Sequence, residues 1–220
     1  MHCEIPGPIV EAFTAFGKEK ALADEYVSGF PVVPGVAFER KDIGELTLRN
    51  FWRPSVTVTG AAGLPSLPNA GNVIRTNTTL KLSCRTPPLV DAKVAGEAIC
   101  KALTAAPPSG AKVEATLVAA SSGWAAPLLK PWLAEAMDAG CHAFFGIPKA
   151  GMIGMGGTIP FMGMLGAMFP EAQFVISGVL GPASNAHGPN EFLHVGFGKR
   201  INACMCEVAA AHCAESKKSS

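Results

Sequence analysis

His187 stands in the run Asn185-Ala186-His187-Gly188-Pro189-Asn190-Glu191, a polar loop just after the apolar stretch Gln173 to Leu180. A side chain at the carboxyl end of a buried strand is where open α/β sheets gather their ligands, and an imidazole there suits a single metal ligand. Gly188 and Pro189 would fix the loop that aims the ring. Asn190 and Glu191 can hold the turn through backbone groups, and Glu191 reads first as a structural acceptor. The competing reading of His187 is an ordinary loop histidine satisfied by backbone. Upstream, Gly154-Met155-Gly156-Gly157-Thr158 precedes a helix opening at Pro160. Converging N–H groups there would suit a carboxylate, although glycine-rich runs also serve as plain turns. No lysine follows in GxxxxGK[ST] order, so this is not a nucleotide loop. Arg85 can pair bidentately with a carboxylate and Asn72 can donate to an oxyanion; an arginine at a strand end is equally at home in solvent.

A two-zinc hydrolytic site needs about five ligands and a carboxylate to take a proton from the bridging water. The inventory falls short of that. The five histidines, His2, His142, His187, His194 and His212, are followed two positions later by Glu4, Phe144, Pro189, Gly196 and Ala214, so none opens a His-x-Asp pair. No Glu-Glu pair occurs. Cys204 and Cys206 point about 200° apart on a helix, which disfavours chelation and favours core packing.

The elements that must position these groups follow from periodicity. A helix is expected from Ile9 to Tyr26, within a peripheral segment covering residues 1–50. Val56 and Val58 alternate with Thr57 and Thr59 in a half-buried strand ended by Gly60, and Leu80, Leu82 and Cys84 alternate with Lys81, Ser83 and Arg85 in a second. A helix over Asp91 to Leu103 and a strand over Lys112 to Val118, with Val113, Ala115 and Leu117 inward, complete most of a two-layer α+β unit, one helix short of a ferredoxin-like arrangement. A hinge is expected at Ala119 to Pro127. Beyond it come a helix opening at Pro131, a short helix after the Gly/Met-rich loop, a strand at Phe174 to Leu180 covered on both faces, and a closing carboxyl-terminal helix.

With 220 residues, 49% of them hydrophobic, the chain can bury one good core or two small ones. Eighteen basic and 17 acidic residues leave a formal charge of +1, which provides no footprint for nucleic acid or an anionic membrane. No run of about 18 apolar residues marks a membrane span. The seven cysteines follow no framework spacing and read as reduced core residues of a cytoplasmic protein.

Several runs, in order, resemble the carnosinase, cytosolic non-specific dipeptidase and aminoacylase family of zinc metallopeptidases: Trp52-Arg53-Pro54-Ser55, Asn69 to Ile74, Lys81 to Arg85, Gly156 to Pro160, and His187 to Glu191. The resemblance covers about Phe51 to Ala211 and concerns the carboxyl-terminal part of that family. It implies an α/β fold: an α+β lid, incomplete and ferredoxin-like, over residues 51–119, plus part of an α/β zinc-peptidase catalytic domain over residues 120–220. It also implies that His187 is a zinc ligand and that Arg85, Asn72, Gly157 and Thr158 contact a small peptide substrate. The lid would form a homodimer or pair with a full-length paralogue. The family's amino-terminal half, with its His-x-Asp, bridging aspartate and Glu-Glu pair, has no counterpart here, and Met155 stands where the dipeptidase branch carries a glutamate. The resulting expectation is a partial metallopeptidase, inactive alone. The alternatives are a non-catalytic dimerisation module and a binder of small carboxylates.

Overall fold

The computed structural model describes residues 3–30, 32–39, 41–154, 160–180 and 184–218. It is a mixed α/β chain whose elements run α1 (Gly7–Lys18), α2 (Lys20–Ser28), α3 (Ile43–Trp52), β1 (Ser55–Ala62), β2 (Thr79–Arg85), α4 (Ala92–Ala105), α5 (Pro131–Phe145), α6 (Pro160–Met168) and α7 (Val195–Lys218). Two compact units divide it. One takes Met1–Thr14, Asp42–Ala125 and Gly154–Gly163; the other takes Ala15–Lys41, Ala126–Ile153 and Met164–Ser220.

In the first unit, β1 and β2 form an antiparallel ribbon from Ser55↔Arg85 to Ala62↔Thr79, with an irregularity between Val58 and Gly60. The bulge lets β1 run through Gly60, where the sequence predicts its end, because the extra residue is absorbed by bending the strand. The sequence also predicts a half-buried ribbon, yet both faces are largely open: Val56, Val58 and Leu80 are all more than half exposed. The core of this unit lies elsewhere. Thr47, Leu48 and Trp52 of α3 are buried, as are Ala92 and Ala95 of α4. Both helices start on an aspartate that satisfies a free N–H of the first turn: Asp42 accepts from Glu45 N at 3.1 Å and Asp91 from Val94 N at 2.9 Å. Leu117 lies against α4 at Gly96.

In the second unit, α5 opens with Pro131 and closes with Gly146 in the left-handed region, the usual asymmetry of helix ends. Leu133, Ala136 and Gly140 form its buried stripe, at helical spacing, and face α7, whose buried residue is Cys204. His194 precedes α7 and caps it, its Nδ1 accepting from Phe197 N at 2.9 Å. The single helix expected from Ile9 to Tyr26 is two helices. The break falls at Glu19, whose N–H is shared between the carbonyls of Ala15 and Phe16, the tightening common at a helix end.

Two expected strands are absent as paired strands among the described residues. Residues 112–118 and 174–180 run outside any ladder. Alternation in a sequence reports which side chains share a face, whereas a strand also needs a neighbour to take its N–H and C=O groups. Residues 174–180 are partly covered on one side: Val175 and Val179 are half-buried, and a Cβ on Gly198 of α7 would lie 3.4 Å from Val179 Cγ1. On the other side Ile176 and Leu180 are 47% and 60% exposed, so the burial on both faces expected from the sequence does not occur.

Candidate functional site

The loop carrying His187 is built by its own side chains. Asn185, His187 and Asn190 all take positive φ, at 56°, 61° and 60°, a region that costs most side chains energy and that Asn and His visit more readily than others. Hydrogen bonds repay that cost. His187 N donates to Glu191 Oε2 at 3.1 Å, Asn185 Nδ2 donates to the Pro189 carbonyl at 2.6 Å, Gly188 N donates to the Asn185 carbonyl at 2.8 Å, and Phe192 N closes the base on the Ser184 carbonyl at 3.2 Å. Ser184 is buried and His187 is exposed. A Cβ on Gly188 would lie 2.6 Å from Asn185 Nδ2, so a side chain there would have to push the Asn185 carboxamide aside. The result is a braced turn that holds an imidazole out at its tip, with left-handed backbone at the displayed residue. Backbone of that kind persists where the surroundings over-determine it, and it gathers at functional positions.

Glu191 has the acceptor role expected from its place in the turn. Asn185 was not singled out by sequence, although an Asn-x-x-Gly run in a polar loop is a turn signal that could have found it. Asn72 is exposed in the connection between β1 and β2. Arg85 is exposed at the ribbon's opposite end, opposite Ser55, about 20 Å of strand from where that connection begins. Arg85 and Asn72 belong to the first unit and His187 to the second. Gly157 and Thr158, and Met155 with them, lie outside the described residues.

No group of three or more His, Cys, Asp or Glu side chains among the described residues is placed to hold a metal ion. Glu191, the carboxylate nearest in sequence to His187, is already engaged by the loop backbone. The donor set among the described residues therefore does not by itself complete a zinc site, which takes three or four converging ligands. A groove of about 730 Å³ in the second unit is lined by Trp132, Leu133, Val175, Val208 and His212 among others, and His187 is not part of it. No described helix is long and apolar enough to cross a membrane.

No family model matches the chain. A curated relative, the cysteinylglycine-S-conjugate dipeptidase of Corynebacterium striatum, is 28% identical over 143 residues, 63% of this chain and 30% of the relative. Among solved structures, human carnosine dipeptidase 1 matches with a TM-score of 0.65 and 18% identity over 94% of this chain and 43% of its own. The M20 family metallo-carboxypeptidase Sso-CP2 of Sulfolobus solfataricus matches at 0.66 and 18%, over 94% and 45%. The dipeptidase Dug1p of Saccharomyces cerevisiae matches at 0.68 and 17%, over 94% and 43%. The chain thus spans less than half the length of each of these four proteins, and at these identities the structural likeness speaks to the fold alone. Taken with the sequence match, it relates the chain, over part of its length, to the M20 metallopeptidases.

Proposed function

We propose that the chain is a portion of a zinc-dependent dipeptidase, a peptide-bond hydrolase, and that this portion hydrolyses nothing by itself. The observation that carries the reading is the braced loop, which holds His187 exposed at its tip while no group of three metal-donor side chains gathers among the described residues. In this reading residues 51–119 are part of a lid and residues 120–220 the end of a catalytic domain. His187 supplies one zinc ligand, Arg85, Asn72, Gly157 and Thr158 meet a small peptide, and the protein works in the cytoplasm. Zinc in such an enzyme activates water and polarises the carbonyl; the chain's own part is to aim one imidazole. Calorimetric titration of zinc tests this. Weak binding, further reduced by His187→Ala, is expected, because one imidazole cannot hold the ion tightly. Tight stoichiometric binding abolished by that substitution would mean that other ligands converge on His187 and that the reading is wrong.

A second reading, a non-catalytic module that pairs with itself or with a full-length paralogue, is favoured by the open ribbon. Val56 and Val58 are 64% and 55% exposed on a two-stranded sheet, and such ribbons are marginal until something covers them. Sedimentation at micromolar concentration tests the self-pairing form: it needs a dimer that Val56→Lys disperses, and a stable monomer removes self-pairing.

A further inference from the structure

Helices α5 and α7 come together at Gly140. A Cβ built on that glycine would lie 3.2 Å from Cα, Cβ and Sγ of Cys204, so the absence of a side chain is what permits the approach. One C–C bond separates that point from Gly140 Cα, which brings the Cα atoms of Gly140 and Cys204 within about 4.7 Å of each other. Cys141 follows on α5, its Cα about 3.8 Å further along the chain. The two steps together keep the Cα atoms of Cys141 and Cys204 within about 8.5 Å of each other, and the about 4.4–6.8 Å that a disulfide needs falls inside that limit. Cys141 is half-buried, Cys204 is 5% exposed, and both are free thiols.

We propose that Cys141 and Cys204 form an oxidisable dithiol, a modification site that closes to a disulfide joining α5 to α7. The oxidant is a low-molecular-weight disulfide such as oxidised glutathione. Cys141, the more accessible thiol, loses its proton and attacks one sulfur of that disulfide; a mixed disulfide forms and one glutathione leaves as thiolate. Cys204, deprotonated in turn, attacks Cys141 Sγ, the protein disulfide forms, and the second glutathione leaves. The two protons lost by the protein are taken up by the two glutathione thiolates, so the protein gives up two electrons and the oxidant gains them.

Burial pushes both thiols up, and for Cys141 the neighbouring Cys204 and Asp138 push in the same direction. Little thiolate is then present, so closure is slow. The same burial shields the closed bond from attacking thiols, so reopening is slow as well. The link would span residues 141–204 and enclose the His187 loop. Closing a loop of that length constrains the unfolded chain strongly.

The test is to incubate the full chain with oxidised glutathione, alkylate the remaining thiols after denaturation, and map peptides without reduction. The expected result is a peptide pair joined through Cys141 and Cys204, two hydrogens lighter than the separate peptides, with a melting temperature above that of the reduced protein. In Cys141→Ala the joined pair is lost and Cys204 is recovered alkylated in a folded protein; Cys204→Ala gives the mirror result if it folds. The proposal is overturned if both residues are alkylated in the oxidised wild type, if each carries its own glutathione, or if either is joined to Cys206 or Cys213 instead.

Discussion

Leu133 and Leu180 carry the same side chain in opposite settings, and replacing each by alanine tests the description of the second unit. Leu133 is 1% exposed and among the largest fully buried side chains of the described residues, whereas Leu180 is 60% exposed. Leu133→Ala removes buried methyl groups and leaves a cavity between α5 and its neighbours, a loss of about 3 kcal/mol. At about 2–4 °C per kcal/mol for a chain of this size, melting falls by about 6–12 °C. Leu180→Ala removes a group that is mostly in water, so it should cost less than about 1 kcal/mol. Because two units need not unfold together, the assay is amide hydrogen exchange read on peptides from α5 and α7, with thermal melts beside it. Equal costs for the two substitutions would mean that residues 174–180 are a strand buried on both faces, and the one-sided packing described above would be refuted. A loss below about 1 kcal/mol for Leu133→Ala would remove α5 from the core.

The His187 loop predicts that Gly188→Ala, whose methyl displaces the Asn185 carboxamide from the Pro189 carbonyl, costs about 1 kcal/mol and speeds exchange of the His187 and Gly188 amides. Exchange unchanged from wild type would show that the brace is dispensable. Glu191→Ala should release the same amides through loss of the His187 N–H partner, and retained protection would count against that bond. At Glu45 burial alone would raise the carboxyl, but hydrogen bonds and charge from Arg53 and Arg49 outweigh it and hold the group below its ordinary range. A carboxyl lowered in the folded state stabilises above its unfolded value and loses that contribution as pH falls through the folded value. The stability gap between wild type and Glu45→Gln should therefore be present at neutral pH and close in acid; a gap that widens in acid would reverse the assignment.

Helices whose signals are local were legible in the sequence. Pro131 with Gly146, Asp91 with Val94, and the stripe through Leu133 and Ala136 mark α5 and α4 by caps and spacing alone. Residues 112–118 and 174–180 carry alternation without a ladder, because alternation gives a face but not a partner, and ladder pairing is a non-local property. The same limit applies to the site. The position of His187 in a polar loop and the acceptor role of Glu191 could be read from residue type and turn chemistry. The left-handed backbone at His187 and the bracing by Asn185 could not, because they depend on four hydrogen bonds closing together. The resemblance makes Arg85 and Asn72 separate substrate contacts; what the sequence does not give is the register, which sets Arg85 at the end of the ribbon away from the connection that carries Asn72.

The most direct measurement is hydrolysis of cysteinylglycine and related dipeptides by the full chain with added zinc or manganese. No turnover above background is predicted, because no group of three metal donors converges among the described residues and Glu191 is engaged by the His187 N–H rather than placed to activate water. Turnover that is abolished by chelation and by His187→Ala would contradict the account at its centre.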